Sequence, residues 1–203
     1  MYIIAATHNK NKLREFGQIF GCRVYSAAEL GAVTDPEETG TTFQENADIK
    51  AEAIYRELMD QKCILPEGEF WITADDSGLC VDALNGAPGV YSARYAGTDG
   101  QNCTDADNVN KLLHNMEQVP DGQRQAAFVC AVTAMNREGR KVTAQGYMRG
   151  VIIRQPQGSN GFGYDPILYI EEAGKTVAEM TAEEKNARSH RGQALRKLTE
   201  LIG

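Results

Sequence analysis

The chain has no C-x-x-C pair, no long apolar run, no excess of positive charge and no glycine-rich phosphate loop of the Walker type, and each absence removes a class of protein. Its five cysteines, Cys22, Cys63, Cys80, Cys103 and Cys130, are scattered and odd in number. That pattern speaks against a zinc site or a disulfide framework and fits reduced thiols in a cytoplasm. A formal charge of −7 over 203 residues works against non-specific binding to nucleic acid or to an anionic membrane. The opening apolar run, Tyr2 to Ala6, is too short for a signal peptide, and no run approaches the roughly 18 apolar residues of a membrane span. The expectation is a cytoplasmic protein with neither a nucleic-acid nor a membrane partner. No internal repeat or linker appears, so residues 1–203 read as one domain.

Against that background one stretch stands out. Ile72-Thr73-Ala74-Asp75-Asp76-Ser77-Gly78-Leu79 ends an apolar, β-favouring run in two carboxylates, a hydroxyl and a glycine. Trp71 to Ala74 reads as a strand, Gly78 as the turn that leaves the polar residues at its mouth, and Leu79 to Leu84 as a resumed strand. Adjacent residues of an extended chain point to opposite faces, so at most one of the two acids aims into a given pocket. Carboxylates beside a hydroxyl suit a hard cation such as Mg²⁺; an Asx-type turn closed by Asp and Ser accounts for the same residues.

The flanking segments bear on that choice. Tyr2 to Thr7 reads as a buried strand, Thr7 to Lys12 as a polar loop, and Leu13, Phe16 and Phe20 as the apolar stripe of a helix. A helix N-terminus beside Lys10 and Lys12 favours an anion, although a polar loop that merely solvates a helix start has the same composition. Thr42 and Glu45 have capping-box spacing, which starts a helix running to about Met59. Its buried stripe is Phe43, Ala47, Ala51, Ile54 and Leu58, and Asn46 and Lys50 share its polar face. Glu37 and Glu38 precede the cap, where they either favour the helix start or join a metal site with Asp76.

Asp105 to Met116 reads as a further helix, with Val109, Leu112, Leu113 and Met116 inward. Gln125 to Ala134 and Lys141 to Tyr147 flank Asn136-Arg137-Glu138-Gly139-Arg140 as an antiparallel hairpin, so the sheet is mixed. Pro156 to Pro166 is a glycine-rich loop carrying Phe162, Tyr164 and Asp165, suited to close approach and stacking on a base, or else a plain loop with an anchored Phe. Thr181 with Glu184 repeats the capping box ahead of Lys185-Asn186-Ala187-Arg188-Ser189-His190-Arg191-Gly192, a cationic run that a solvated helix face also explains.

Taken in order, T-x-N-x-x-K (Thr7, Asn9, Lys12), E-E-T-G-x-T-F-x-E-N-A (Glu37 to Ala47), A-D-D-S-G-L, G-A-P-G-x-Y-S-A-R-Y, G-F-G-Y-D-P and S-H-R-G resemble the inosine/xanthosine triphosphate pyrophosphatase family from end to end. The resemblance implies an α/β fold with a long mixed twisted β-sheet, flanking helices and two lobes around a central active-site cleft. It implies hydrolysis of non-standard purine nucleoside triphosphates (ITP, dITP, XTP) to the monophosphate and pyrophosphate, dependence on Mg²⁺, and a homodimer. By the same similarity Glu37 and Asp76 hold the metal and Asp76 helps activate water. Thr7, His8, Asn9, Lys10, Asn11, Lys12, Lys50 and Lys185 surround the triphosphate, with Ser77 near it. Phe162, Gly163, Tyr164, Asp165, His190 and Arg191 form the base pocket, where donors face the O6 acceptor of a 6-keto purine. Two positions depart from the family pattern: His8 stands where glycine is usual, and Arg188 where an aliphatic residue is usual.

A phosphatase with an aspartyl nucleophile is the enzymatic rival, but it needs alternating carboxylates on one strand and Asp75 and Asp76 are adjacent. A sensor that binds nucleotide without cleaving it has little use for so many acids.

Overall fold

The computed structural model describes residues 1–7, 9–60, 65–97 and 101–203. Seven strands form one mixed sheet, in the order β2-β1-β3-β4-β5-β6-β7. They are β1 (Tyr2–Ala5), β2 (Val24–Ser26), β3 (Phe70–Val81), β4 (Gln125–Asn136), β5 (Lys141–Ile152), β6 (Leu168–Ile170) and β7 (Lys175–Thr176). The helices are α1 (Lys10–Phe20), α2 (Phe43–Asp60), α3 (Asp105–Asn115), α4 (Ala182–Arg188) and α5 (His190–Ile202). The chain divides into two compact units, one of Met1–Asp76, Cys130–Gly146 and His190–Gly203, the other of Ser77–Val129 and Tyr147–Ser189.

In the first unit β1 pairs in parallel with β2 and with β3, Ile4 lying opposite Ile72 and Ala5 opposite Thr73. A parallel strand covered on both faces must be apolar throughout, and all four residues of β1 are buried. The two-residue period sorts the side chains. Ile3, Ala5 and Trp71 pack with Phe16 and Phe20 of α1 and Leu195 and Leu198 of α5. Tyr2, Ile4, Phe70 and Ile72 pack with Ile54 and Leu58 of α2. One face of β3 therefore belongs to α1 and α5 and the other to α2.

The second unit has its own core, in which Leu79, Val81, Val109, Leu112, Met116, Phe128 and Ile152 pack with Tyr164, Ile167 and Leu168. Helix α3 is capped by Thr104, whose side chain accepts from the Asp107 N–H at 3.1 Å. Beyond its other end the buried Arg124 donates through Nη1 to the Met116 carbonyl and through Nε to the Ile152 carbonyl, both at 2.7 Å. Strand β5 continues antiparallel to β6, and β6 to β7.

Several expectations need revising. Strand β3 is continuous from Phe70 to Val81, so Asp75 to Gly78 lie within a strand and not at a turn. Glycine permits a turn without imposing one, and a ladder neighbour in β4, itself 12 residues long, offers the backbone partners that a turn would forfeit. Helix α1 starts at Lys10, earlier than its apolar stripe suggests. The Asn9 carbonyl accepts from Leu13, and its side chain accepts from the Lys12 N–H at 3.3 Å, which caps the first turn. The helical region after Thr181 is two helices, broken where Ser189 turns extended (ψ 147°).

Both capping boxes form as spaced. Glu45 Oε2 accepts the Thr42 N–H at 3.1 Å and Thr42 Oγ1 accepts the Glu45 N–H at 3.1 Å. Thr181 and Glu184 do the same. Cys22, Cys80, Cys103 and Cys130 form no disulfide, and Cys63 lies outside the described residues. Among the described residues no helix is long and apolar enough to cross a membrane.

Candidate active site

The first unit holds a pocket of about 200 Å³ between the end of β1, the start of α1, the segment before α2, and α2 itself. Thr7, Asn9, Lys12, Thr34, Glu38, Lys50 and Asp75 are among its lining residues. Drug-sized ligands fill roughly 300–1,000 Å³, so this space suits part of a nucleotide, such as a phosphate chain. Its wall carries two ammonium groups, Lys12 and Lys50, that can meet phosphate oxygens, beside the carboxylates of Asp35, Glu38 and Asp75. Helix α1 adds the positive end of its dipole, since its first turn carries no acid and Asn9 and Lys12, at its start, line the pocket.

Asp75 and Asp76 mark the two faces of β3. Asp76 meets α2, where Asn46 Nδ2 donates to its Oδ2 at 3.0 Å and Lys50 Nζ lies 3.5 Å from its Oδ1. Lys50 also donates to Glu38 Oε1 at 2.9 Å, so one ammonium bridges two carboxylates. Asn46 is held from its other end. The Gly40 N–H donates to Asn46 Oδ1 at 2.8 Å, and a Cβ on Gly40 would stand 2.6 Å from that oxygen. Burial raises the Asp76 pKa; Lys50 opposes that and Glu38 adds to it, leaving the group above the usual carboxylate range. Burial disfavours the Lys50 charge, but Asp76, Asp75 and Glu38 outweigh burial and keep it protonated.

Asp75 meets α1 and α5. Its Oδ2 accepts Lys12 Nζ at 3.0 Å and Arg191 Nε at 3.1 Å, and Arg191 Nη1 reaches Glu15 Oε2 at 2.7 Å. Burial alone would raise this carboxyl, yet Lys12, Arg191 and then Lys50 hold it well below the usual range. The Arg191 side chain is 5% exposed and that of Asp75 1%.

The second unit carries the glycine-rich loop. Asp165, buried, accepts the Phe162 N–H at 2.9 Å and Lys185 Nζ at 2.6 Å through Oδ2. Lys185 Nζ lies 4.7 Å from the centre of the Phe162 ring, which is 44% exposed and therefore open to a stacking partner. Gly161, at φ +79°, has no room for a Cβ because Asp165 Oδ2 would stand within bonding range of it. The Gly163 N–H donates to Asp105 Oδ2 at 2.7 Å. Tyr164 is a core residue whose hydroxyl donates to the Ser92 carbonyl at 2.9 Å.

Of the residues expected to face substrate, Thr7, Asn9, Lys12 and Lys50 meet in the first unit's pocket, and Phe162, Gly163, Asp165 and Lys185 meet in the second unit's loop. Lys10 is exposed at the first position of α1, Ser77 is half-buried in β3, and His190 is buried at the start of α5. His8 and the Asn11 side chain lie outside the described residues. Glu37 is exposed, and the acid that shares Lys50 with Asp76 is its neighbour Glu38. Asn46, Gly40 and Glu15 join the constellation without having been picked out as site residues, and Glu38 takes the place beside Lys50 that the sequence left open between it and Glu37.

The donor set fits a hard divalent cation. Glu38 and Asp76 both lie within 3.5 Å of one ammonium, so two carboxylates already converge on a single positive charge. Among the described residues no group of three His, Cys, Asp or Glu side chains gathers at one point. Mg²⁺ typically takes only one or two protein carboxylates, with water and substrate phosphate completing its shell.

A mixed sheet whose first unit sets acids and lysines around an anion pocket, and whose second presents an open aromatic ring beside a lysine, defines an α/β protein equipped for a nucleoside polyphosphate. The Ham1 family model matches residues 3–201, and the chain belongs to that family. It is 45% identical over 200 residues to a protein of Clostridium perfringens named dITP/XTP pyrophosphatase, covering 97% of this chain and 95% of the relative. It is 46% identical over 205 residues to one of the same name from Pectobacterium atrosepticum, covering 98% and 97%. Among solved structures it resembles a HAM1 protein from Coxiella burnetii (TM-score 0.86, 40% identity, 100% and 98% of the two chains). It also resembles a nucleoside-triphosphatase / dITP/XTP pyrophosphatase from Mycobacterium abscessus (TM-score 0.75, 40% identity, 100% and 99%).

Proposed function

We propose that this protein hydrolyses non-standard purine nucleoside triphosphates, ITP, dITP and XTP, to the nucleoside monophosphate and pyrophosphate, and so clears them from the nucleotide pool. The observation that carries the reading is the pocket lined by Lys12, Lys50, Glu38 and Asp75, with Asp76 held 3.5 Å from Lys50 Nζ, in a chain whose relatives bear the names given above. Residues 1–203 act as one catalytic domain, because neither compact unit is a contiguous stretch of chain.

In this reading the triphosphate lies against Thr7, Asn9, Lys12 and Lys50, with Lys10, Ser77, Lys185, His8 and Asn11 assigned to the same task by resemblance. Lys12 and Lys50 neutralise charge as pyrophosphate leaves, which is where most phosphoryl-transfer catalysis lies. Asp76 orients a water toward the α-phosphorus and accepts its proton on the carboxylate. Its raised pKa suits it to that step, since a base works best with a pKa brought toward the operating pH. Asp76, with Glu37 or its neighbour Glu38, would hold Mg²⁺. The ion, when bound, supplies a Lewis acid for the phosphate oxygens and part of the charge neutralisation. Phe162 stacks on the base beside Gly163 and Asp165 of the same loop, and Tyr164 and His190 are assigned to the base by resemblance alone. Arg191 belongs there by resemblance, although its ion pairs lie elsewhere.

The test is to incubate the protein with ITP and Mg²⁺ and to analyse the products. Pyrophosphate with inosine monophosphate is the expected outcome, and ATP is turned over far more slowly. Free phosphate with a trapped phosphoenzyme would instead favour an aspartyl phosphatase, and no turnover would favour a sensor. We further propose a homodimer in a reducing cytoplasm; a monomer mass alone in light scattering at micromolar concentration would count against the dimer.

A further inference from the structure

Between the buried Ala32 and the buried Phe43 the chain has neither helix nor strand and no buried residue, yet it supplies Thr34, Asp35, Pro36 and Glu38 to the wall of the first unit's pocket. Packing does not fix its course, since Val33 is 71% exposed. Backbone groups without a ladder need other partners, and here α2 provides them. The Val33 and Thr34 N–H groups donate one to each carboxylate oxygen of Glu57, at 3.0 and 2.9 Å. At the other end the Gly40 N–H donates to Asn46 Oδ1, and the Thr41 and Thr42 N–H groups donate to Glu45 Oε2 at 2.6 and 3.1 Å. In between, Glu38 takes the Lys50 ammonium. As the segment advances from Val33 to Thr42, its partners on α2 run back from Glu57 through Lys50 and Asn46 to Glu45. It therefore lies antiparallel along the helix and is tied to it at both ends.

We infer that Glu57 is a positioning residue for the acids of this segment. By gripping two successive N–H groups it sets the direction in which the chain leaves Ala32, and so delivers Glu38, with Glu37 beside it, to Lys50, about two turns of α2 away from Glu57 itself. A carboxylate suits the task because both of its oxygens accept and its charge strengthens each bond to N–H. Glutamine at this position keeps one acceptor and turns an NH₂ group toward the other N–H; alanine keeps neither. In both variants the ties to Asn46 and Glu45 remain, so the segment stays attached at one end while Asp35 to Thr39 lose their fixed path past Lys50. Glu37 and Glu38 are both carried by the segment, so the role of Glu57 is the same whichever of them joins Asp76 on a cation.

The inference rests on the proposed hydrolysis for its kinetic readout but not for its binding readout. Glu57→Gln and Glu57→Ala are compared with the parent and with Arg56→Ala, which removes an exposed side chain from the same turn of α2. Turnover of ITP and of ATP is followed against Mg²⁺ concentration, and binding of inorganic tripolyphosphate, which has no base, is followed by calorimetry at several Mg²⁺ concentrations. A site that is assembled only part of the time binds with its affinity reduced by that fraction, and two hydrogen bonds to a charged acceptor are lost from a segment with no packing of its own. The Mg²⁺ needed for half-maximal turnover is expected to rise about tenfold in Glu57→Ala and several-fold in Glu57→Gln, with excess Mg²⁺ recovering most of the loss. Mg²⁺-dependent tripolyphosphate binding weakens in step, the ITP to ATP ratio does not move, and Arg56→Ala matches the parent. In a background carrying Glu37→Gln and Glu38→Gln, Glu57→Ala adds little further loss, because these residues act as one unit.

A Mg²⁺ requirement in Glu57→Ala equal to that of the parent would overturn the inference, and so would fully multiplicative losses in the combined variant. A lowered urea midpoint with an unchanged Mg²⁺ requirement would make Glu57 a stabilising clip and nothing more. If Glu57→Ala does not fold, Glu57→Gln carries the same comparison. If the parent hydrolyses no purine triphosphate, the proposed function fails, while Mg²⁺-dependent tripolyphosphate binding across the variants still decides the role of Glu57; a parent that binds no tripolyphosphate with Mg²⁺ present overturns both.

Discussion

On one face of β3, Asp75 is sealed from water between Lys12 and Arg191; on the other, Asp76 meets Asn46, Lys50 and Glu38 and keeps some exposure. The residues are consecutive in the chain, so nothing local to the sequence separates them except the pleat. Their settings differ in what removing the charge would leave behind. Beside Asp75 two cations would lose their shared anion, Lys12 keeping only its partial exposure and the buried Arg191 only Glu15. Beside Asp76 the lysine retains Glu38, and the amide of Asn46 can pair with another amide. One carboxylate is thus built into the fold, and the other has been given an environment that stability alone does not call for.

Replacing each acid by its amide gives the sharpest break of that comparison. Asp75→Asn leaves Lys12 without its carboxylate and Arg191 with Glu15 alone, and losing one partner of a buried ion pair costs about 3–5 kcal/mol. Urea denaturation of the metal-free protein should find that loss, and a value below about 1 kcal/mol would mean that the network carries little of the fold. Asp76→Asn is expected to leave stability within about 1 kcal/mol of the parent while turnover of ITP falls by 10²-fold or more, the usual scale of a general-base contribution. Near-normal Mg²⁺-dependent turnover in that variant would remove Asp76 from the mechanism.

How much of this could be read from the chain depended on whether the interaction was local. Capping boxes at Thr42 and Thr181 span three residues, the stripes of α1 and α2 a few turns, and the opposition of Asp75 and Asp76 a single peptide; all follow from spacing. Continuity of β3 did not, because Gly78 permits a turn and only the neighbouring ladder decides against one. Asn46 was legible as a polar partner of Lys50 at i, i+4, but its bond to Asp76 crosses 30 positions. Arg191 and Asp75 are 116 apart, and no rule of spacing joins them. Glu38 and Glu37 are equivalent in composition, and only the path of the chain ahead of α2 turns Glu38 toward Lys50.

A smaller effect sharpens the Asp76 face. Gly40 lies so close to α2 that an added Cβ would stand 2.6 Å from Asn46 Oδ1 and 2.7 Å from Glu45 Cβ. Gly40→Ala should therefore cost about 1–3 kcal/mol of stability, the usual price of overpacking, and should lower turnover by displacing Asn46 from Asp76. Unchanged stability together with unchanged turnover would show that Asn46 does not hold Asp76 in place.

The smallest effect is a difference in pH dependence between the two amide variants. Asp75 has a folded pKa below its unfolded value of about 3.9, so its stabilising contribution is fully present above that value and is lost as pH falls through the folded pKa. The penalty of Asp75→Asn should accordingly be flat from neutral pH down to about pH 4 and shrink only in stronger acid. Asp76 is shifted the other way. Its contribution is fully present below the unfolded value and is lost as pH rises through the folded pKa, because ionising it costs more inside the protein than in the unfolded chain. Asp76→Asn should then gain on the parent as pH climbs from acid toward neutrality and hold that gain above it. Urea midpoints of the parent and both variants, taken in metal-free buffer across this range, give the two curves. Opposite slopes are expected, and parallel curves would mean that the two faces of β3 do not tune their carboxylates differently.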